Sequence, residues 1–69
     1  MAVLIFGKDS CPYTADAVAS YKAKGVAVEY VNVKRDPAAL ERMLVLSGGK
    51  RRVPVIVDEG EVSIGFGGT

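Results

Sequence analysis

The 69-residue chain has no histidine and a single cysteine, Cys11. One sulfur excludes an internal disulfide, and without histidine the usual zinc ligand sets cannot be assembled, so no metal site is expected. Long apolar runs are missing too. The longest, Ala2 to Phe6, falls far short of the about 20 residues that span a bilayer. The N-terminus lacks the basic segment and apolar core of a secretory signal, so the expected location is cytoplasmic, with no membrane partner. Charge of one sign is scarce as well: nine Lys and Arg against eight Asp and Glu leave a net +1. That balance offers no field to hold nucleic acid, and the one basic run, Lys50-Arg51-Arg52, is long enough only for a small anion. What remains is a chain that is 49% apolar, with no repeat or linker, expected to form one domain over residues 1–69 around a single small core.

The hydrophobic pattern orders that domain. Val3-Leu4-Ile5-Phe6, ending at Gly7, reads as a strand buried on both faces. From Pro12 to Lys24, Thr14, Ala17, Val18 and Tyr21 fall on one helical face, and Gly25 stops the helix. Val26 to Val33 is β-branched and aromatic and reads as a second strand, which places Tyr30 with Tyr21 and Met43 in the core. Asp36-Pro37 predicts an N-cap and first helical position, Leu40, Met43 and Leu44 the apolar stripe of a second helix, and Ser47-Gly48-Gly49 its end. Val53 to Val57 predicts a third strand, Asp58-Glu59-Gly60 a reversal, and Glu61 to Ile64 a fourth. The order βαβαββ implies a four-stranded mixed sheet with a parallel crossover followed by an antiparallel hairpin.

Cys11 falls between the first strand and the first helix, beside Pro12. There the unpaired N–H groups and the positive end of the helix favour the thiolate, Lys8 adds positive charge, and Asp9 and Asp16 oppose it. A buried cysteine packing as a small hydrophobe is the alternative. If the helix end lowered the thiol pKa from about 8.5 to about 6, the thiolate fraction at neutral pH would rise roughly thirtyfold while intrinsic nucleophilicity fell roughly tenfold. The larger gain is that such a thiolate leaves readily when a second thiol attacks a mixed disulfide. Thr14, where a dithiol enzyme carries its second cysteine, either packs or donates a hydroxyl hydrogen bond to the sulfur. Lys50, Arg51 and Arg52 read as a solvated loop, or as one arginine forked on a carboxylate.

The motifs "KDSCPYT" and "RVPVIV" resemble those of the glutaredoxins, and the likeness covers nearly the whole chain. "FGKDSCPYT" is similar to the signature of the UXX-star group, glutaredoxin-like chains with Pro-Tyr-Thr after a cysteine or selenocysteine. The resemblance implies a thioredoxin-like fold, a cis Val53–Pro54 bond behind the active site, and Cys11 as redox nucleophile, a position that selenium occupies in some relatives. It implies glutathione as co-substrate, with no tightly bound cofactor, contacted by Lys8, Pro12, Tyr13, Arg51 or Arg52, Val53, Pro54, Gly65 and Thr69. The family's aspartates after Gly-Gly, which hold the γ-glutamyl group, have no counterpart in "GFGGT".

The expected function is therefore a monothiol, glutathione-dependent thiol-disulfide oxidoreductase: Cys11 takes glutathione, or another low-molecular-weight thiol, from a glutathionylated protein and is released by a second thiol. Two other expectations stand beside it, a peroxide-sensing or peroxidase module working through a Cys11 sulfenic acid, and a dimer holding an iron–sulfur cluster. The family's C-terminal helix is absent or missing, which predicts a sheet face less covered than usual. Either further chain or a second copy, in a homodimer, would cover it.

Overall fold

In the computed structural model, which describes residues 2–67, the elements follow in the expected order: β1 (Val3–Gly7), α1 (Pro12–Ala23), β2 (Val28–Asn32), α2 (Pro37–Leu46), β3 (Val55–Asp58) and β4 (Glu61–Ile64). The sheet order is β2-β1-β3-β4, with β1 parallel to β2 and antiparallel to β3, and β4 antiparallel to β3. The unbroken apolar run therefore occupies a central strand. Val3 and Ile5 pack with Ala17 of α1 and with Ile56, while Phe6 packs with Ala39 and Met43 of α2 and with Val55. Each helix thus covers its own cluster on the sheet, and each large apolar side chain so buried contributes about 1.5–3 kcal/mol.

Both helices end by the same device. Gly25, at φ 77°, donates its N–H to Lys22 O at 3.0 Å, and Val26 N reaches back to Tyr21 O at 3.2 Å, closing a Schellman motif. Gly48 and Gly49 repeat it after α2, where Gly49 N bonds Leu44 O at 2.7 Å. The start of α2 is capped by Asp36, whose carboxylate accepts from Ala38 N at 3.1 Å and Ala39 N at 3.3 Å. Asp36→Ala should cost about 1 kcal/mol, measured as a lower denaturation midpoint, with the reactivity of Cys11 unchanged.

Three expectations are corrected. Strand β2 is shorter than Val26 to Val33, because the Val26 N–H is committed to closing α1 and the Asn32 side chain accepts from Lys34 N at 2.9 Å, turning the chain. Strand β3 begins at Val55, after Pro54, which has no N–H to give the ladder. On the α1 side, where the sheet is expected to be less covered than usual, Phe66 packs on the Val3, Ile5 and Ile56 cluster and Ile56 is buried. Tyr30 is not core: it remains 37% exposed.

Candidate active site

The end of β1 delivers the chain into a tight turn, Lys8 to Cys11, closed by a hydrogen bond from Cys11 N to Lys8 O at 3.2 Å. Cys11 is the N-cap of α1, in extended conformation, with Pro12 at the first helical position, and no side chain caps the helix. Its carbonyl accepts from Thr14 N at 3.1 Å and Ala15 N at 3.3 Å. The uncapped first turn leaves amide hydrogens directed at the sulfur.

Cys11 is 8% exposed. Burial pushes the thiol pKa up, but the Thr14 hydroxyl, the backbone N–H groups of Thr14 and Tyr13, and the Lys8 charge outweigh it, so the thiol ionises below its ordinary value. Thr14 is itself only 2% exposed, and its Oγ1 makes no hydrogen bond of ordinary geometry among the described residues, which leaves the hydroxyl free to donate toward the Cys11 sulfur. A buried hydroxyl in that state costs about 1–3 kcal/mol. A thiolate is a stronger acceptor than a thiol, so a donation from this hydroxyl favours the ionised sulfur.

Gly7 sets the position of Thr14. A Cβ on Gly7 would lie 2.6 Å from Thr14 Oγ1 and overlap its methyl group, so glycine at the end of β1 is what allows α1 to approach the strand this closely. Behind the site, the Val53–Pro54 bond is cis, as the resemblance implies, and Pro54 is buried. Val53 is partly buried, and its backbone has no hydrogen-bond partner among the described residues.

Lys8, Arg51 and Val53 come together in a groove of about 440 Å³, whose remaining walls are Val33, Lys34, Pro37, Leu40 and Met43. Three cations thus surround an apolar floor, with no carboxylate in the lining. A second cavity of about 370 Å³ lies against α1, lined by Lys8, Asp9, Thr14, Ala15, Val18, Ala19, Lys22 and Tyr30. Lys8 borders both.

The other expected residues divide. Pro12 and Tyr13 are exposed beside Cys11, and Gly67 runs against the Tyr13 ring, so that a Cβ there would stand 3.5 Å from Cδ1. Between the two arginines, Arg51 and not Arg52 lines the groove. Gly65 offers no amide to a ligand, because its N–H is bonded to Pro54 O at 2.7 Å; it anchors the tail to the proline instead. Thr69 lies outside the described residues. Sequence reasoning missed Lys34, which joins the groove from the turn after β2, and the placement of Asp9. The Asp9 carboxylate, expected to oppose the thiolate, accepts a hydrogen bond from Tyr30 Oη at 2.7 Å. Burial and that carboxylate push the Tyr30 pKa up to about 12. Tyr30 was legible only as a β-strand former; its position on an edge strand beside the turn was the available signal.

No curated protein matches the chain. Among solved structures, the thioredoxin-like protein BC3987 is 31% identical with a TM-score of 0.83, the match covering 94% of this chain and 88% of that one. The glutaredoxin-like NrdH-redoxin of Escherichia coli, whose structure is described as the basis of a thioredoxin-like activity profile, is 25% identical with a TM-score of 0.82, covering 97% of this chain and 86% of its own. A glutaredoxin from Archaeoglobus fulgidus, 24% identical over 94% of this chain and 75% of that one with a TM-score of 0.83, shares the fold. The architecture is thus the thioredoxin-like fold of glutaredoxins. The sequence model of the glutaredoxin family matches residues 3–62, from the start of β1 through the cysteine turn and the cis-proline into β4, and the chain belongs to that family.

Proposed function

We propose that the chain is a monothiol oxidoreductase that removes glutathione, or a thiol of the same charge pattern, from mixed disulfides. The observation that carries this reading is the placement of one activated sulfur, Cys11, at the N-terminus of α1 with Thr14 in place of a second thiol. Cys11 thiolate attacks the glutathione sulfur of a mixed disulfide. The Cys11–glutathione bond forms as the old S–S bond breaks, and the departing thiolate takes a proton from solvent. A second glutathione thiolate then attacks the glutathione sulfur held on Cys11, giving oxidised glutathione and releasing Cys11 as a thiolate. Overall one disulfide is exchanged for another: the incoming glutathione sulfur is oxidised to the disulfide level as the substrate sulfur is reduced to a thiol, and no second protein thiol is needed.

The groove supports the choice of thiol. Glutathione carries two carboxylates, and Lys8, Lys34 and Arg51 are three cations around an apolar floor. The missing carboxylate in that lining means that the ammonium group gains little, so recognition rests on the carboxylates and on the Val53 backbone. Within the family, "FGKDSCPYT" resembles the signature of the UXX-star group, and the hydrogen-bond donors around Cys11 would serve a selenolate equally well. The lowered thiol also suits oxidation by peroxide to a sulfenic acid, which gives a second reading. The cationic groove favours the first.

Turnover of a glutathionylated peptide by glutathione tests it. A Cys11–glutathione adduct should appear by mass spectrometry in a single turnover, and Arg51→Ala should raise KM about fivefold with kcat little changed, as expected for one solvent-exposed carboxylate contact. Absence of the adduct, with sulfenic acid forming under peroxide instead, would favour the second reading.

A further inference from the structure

The tip of the active-site turn is tied to the sheet edge. The Asp9 carboxylate is held from two sides: Tyr30 Oη donates to Oδ1 at 2.7 Å, and Arg35 Nη2 stands 3.5 Å from Oδ2. Tyr30 belongs to β2, where it pairs with Ile5 of β1, and it lines the same cavity as Lys8, Asp9 and Thr14. Arg35 follows in the turn after β2, itself fixed by Arg35 N to Asn32 O at 3.3 Å. Asp9 and Ser10 are the exposed central residues of the turn that the Cys11 to Lys8 hydrogen bond closes. Without a partner, a carboxylate two residues before the sulfur would be free to approach it, and like charges close together disfavour ionisation.

We propose that Tyr30, assisted by Arg35, is a positioning residue for the Cys11 thiolate: it takes up the Asp9 carboxylate at the edge of β2 and so fixes the turn with Lys8, not Asp9, presented to the sulfur. This rests on Cys11 being the nucleophile. The charged and titratable groups on the elements around Cys11 are Lys8 and Asp9 on its own turn, Tyr13, Asp16, Tyr21 and Lys22 on α1, Glu29 and Tyr30 on β2, Lys34 and Arg35 after it, and Arg51 and Arg52 before β3. Lys8 acts on the thiol by its charge, and the charge of Cys11 is felt in turn at Tyr30. The ion pair with Arg35 is exposed and weak by itself. The charge-assisted hydrogen bond from the Tyr30 hydroxyl to the carboxylate therefore provides the directional hold.

The test is the pH dependence of Cys11 alkylation in the native chain, Tyr30→Phe, Asp9→Asn and the double variant, each checked for fold by circular dichroism. Phenylalanine keeps the ring and loses only the donor, so the fold is retained. At a pH below the native midpoint Tyr30→Phe should react about threefold more slowly, equal to half a pKa unit. Asp9→Asn should react at least as fast as the native chain. The double variant should regain the native rate, since no carboxylate remains to be misplaced; a purely structural role for Tyr30 would not be rescued in this way. A lowered native midpoint that Tyr30→Phe leaves unmoved, or a slow double variant, overturns the positioning role alone. A native midpoint no lower than that of free cysteine overturns it together with the reading of Cys11.

Discussion

Cys11→Ser should reduce turnover of glutathione mixed disulfides by at least about a thousandfold, to the rate of thiol exchange without protein, while leaving the fold intact. Serine fills nearly the same volume at the helix N-cap and is a favoured residue there, so stability should hold or rise slightly. The loss is chemical. A serine hydroxyl is not ionised at neutral pH, and the donors that lower the thiol, namely the Thr14 hydroxyl and the Thr14 and Tyr13 N–H groups, cannot bring an alkoxide within reach. Because Thr14 offers no second sulfur, no alternative nucleophile stands in the turn, and a partial effect is not expected. The check is the initial rate of deglutathionylation against the native chain at equal concentration; comparable rates would end the assignment of Cys11.

Gly7→Ala should be the most damaging single methyl in the site. The added Cβ would stand 2.6 Å from Thr14 Oγ1 and overlap the Thr14 methyl group, and Thr14, 2% exposed, has no solvent to turn into. Either the side chain leaves its rotamer or α1 shifts from the sheet, at a cost of about 1–3 kcal/mol. In a chain this small each kcal/mol lowers the thermal midpoint by about 4–8 °C. A second effect separates this from ordinary overpacking. Displacing Thr14 removes a hydroxyl donor from Cys11, so alkylation at fixed pH below the native midpoint should slow as well. Thermal melts and alkylation rates together check the account; an unchanged melting temperature would show that the strand and helix are not in the close contact described.

Most of the fold was readable because its signals are local. Asp36-Pro37, Gly25 and Gly48-Gly49 act within one turn of the helices they start and stop, and the Val3 to Phe6 run required a central strand whatever its neighbours. The turn "KDSCPYT" likewise carried the nucleophile and its donors in consecutive residues. What failed was non-local. Whether Val26 belongs to β2 depends on its N–H being claimed by Tyr21 O, and whether Tyr30 is core depends on β2 lying at the sheet edge. The same edge position brings Tyr30 to Asp9 across 21 residues, a pairing that no spacing rule indicates. Gly7 looked like the end of a strand, and only the packed helix reveals it as the gap that admits Thr14. The groove was half legible: Lys8, Arg51 and Val53 were expected there, whereas Lys34 enters through the turn after β2.

A folded thiol that ionises below its unfolded counterpart also makes stability depend on pH. The folded state binds fewer protons between the two pKa values, so stability rises with pH across that interval, and the gain is lost as pH falls through the folded pKa. Burial alone would reverse that sign, since it raises the thiol pKa. The central claim is that the helix N-terminus, Thr14 and Lys8 outweigh burial at Cys11, and the rate of Cys11 alkylation as a function of pH tests it most directly. The account predicts a midpoint below the about 8.5 of free cysteine, moving upward in Thr14→Val, which keeps the shape and deletes the donor. A native midpoint at or above about 8.5, unmoved by Thr14→Val, would contradict it and leave Cys11 a packed, unactivated side chain.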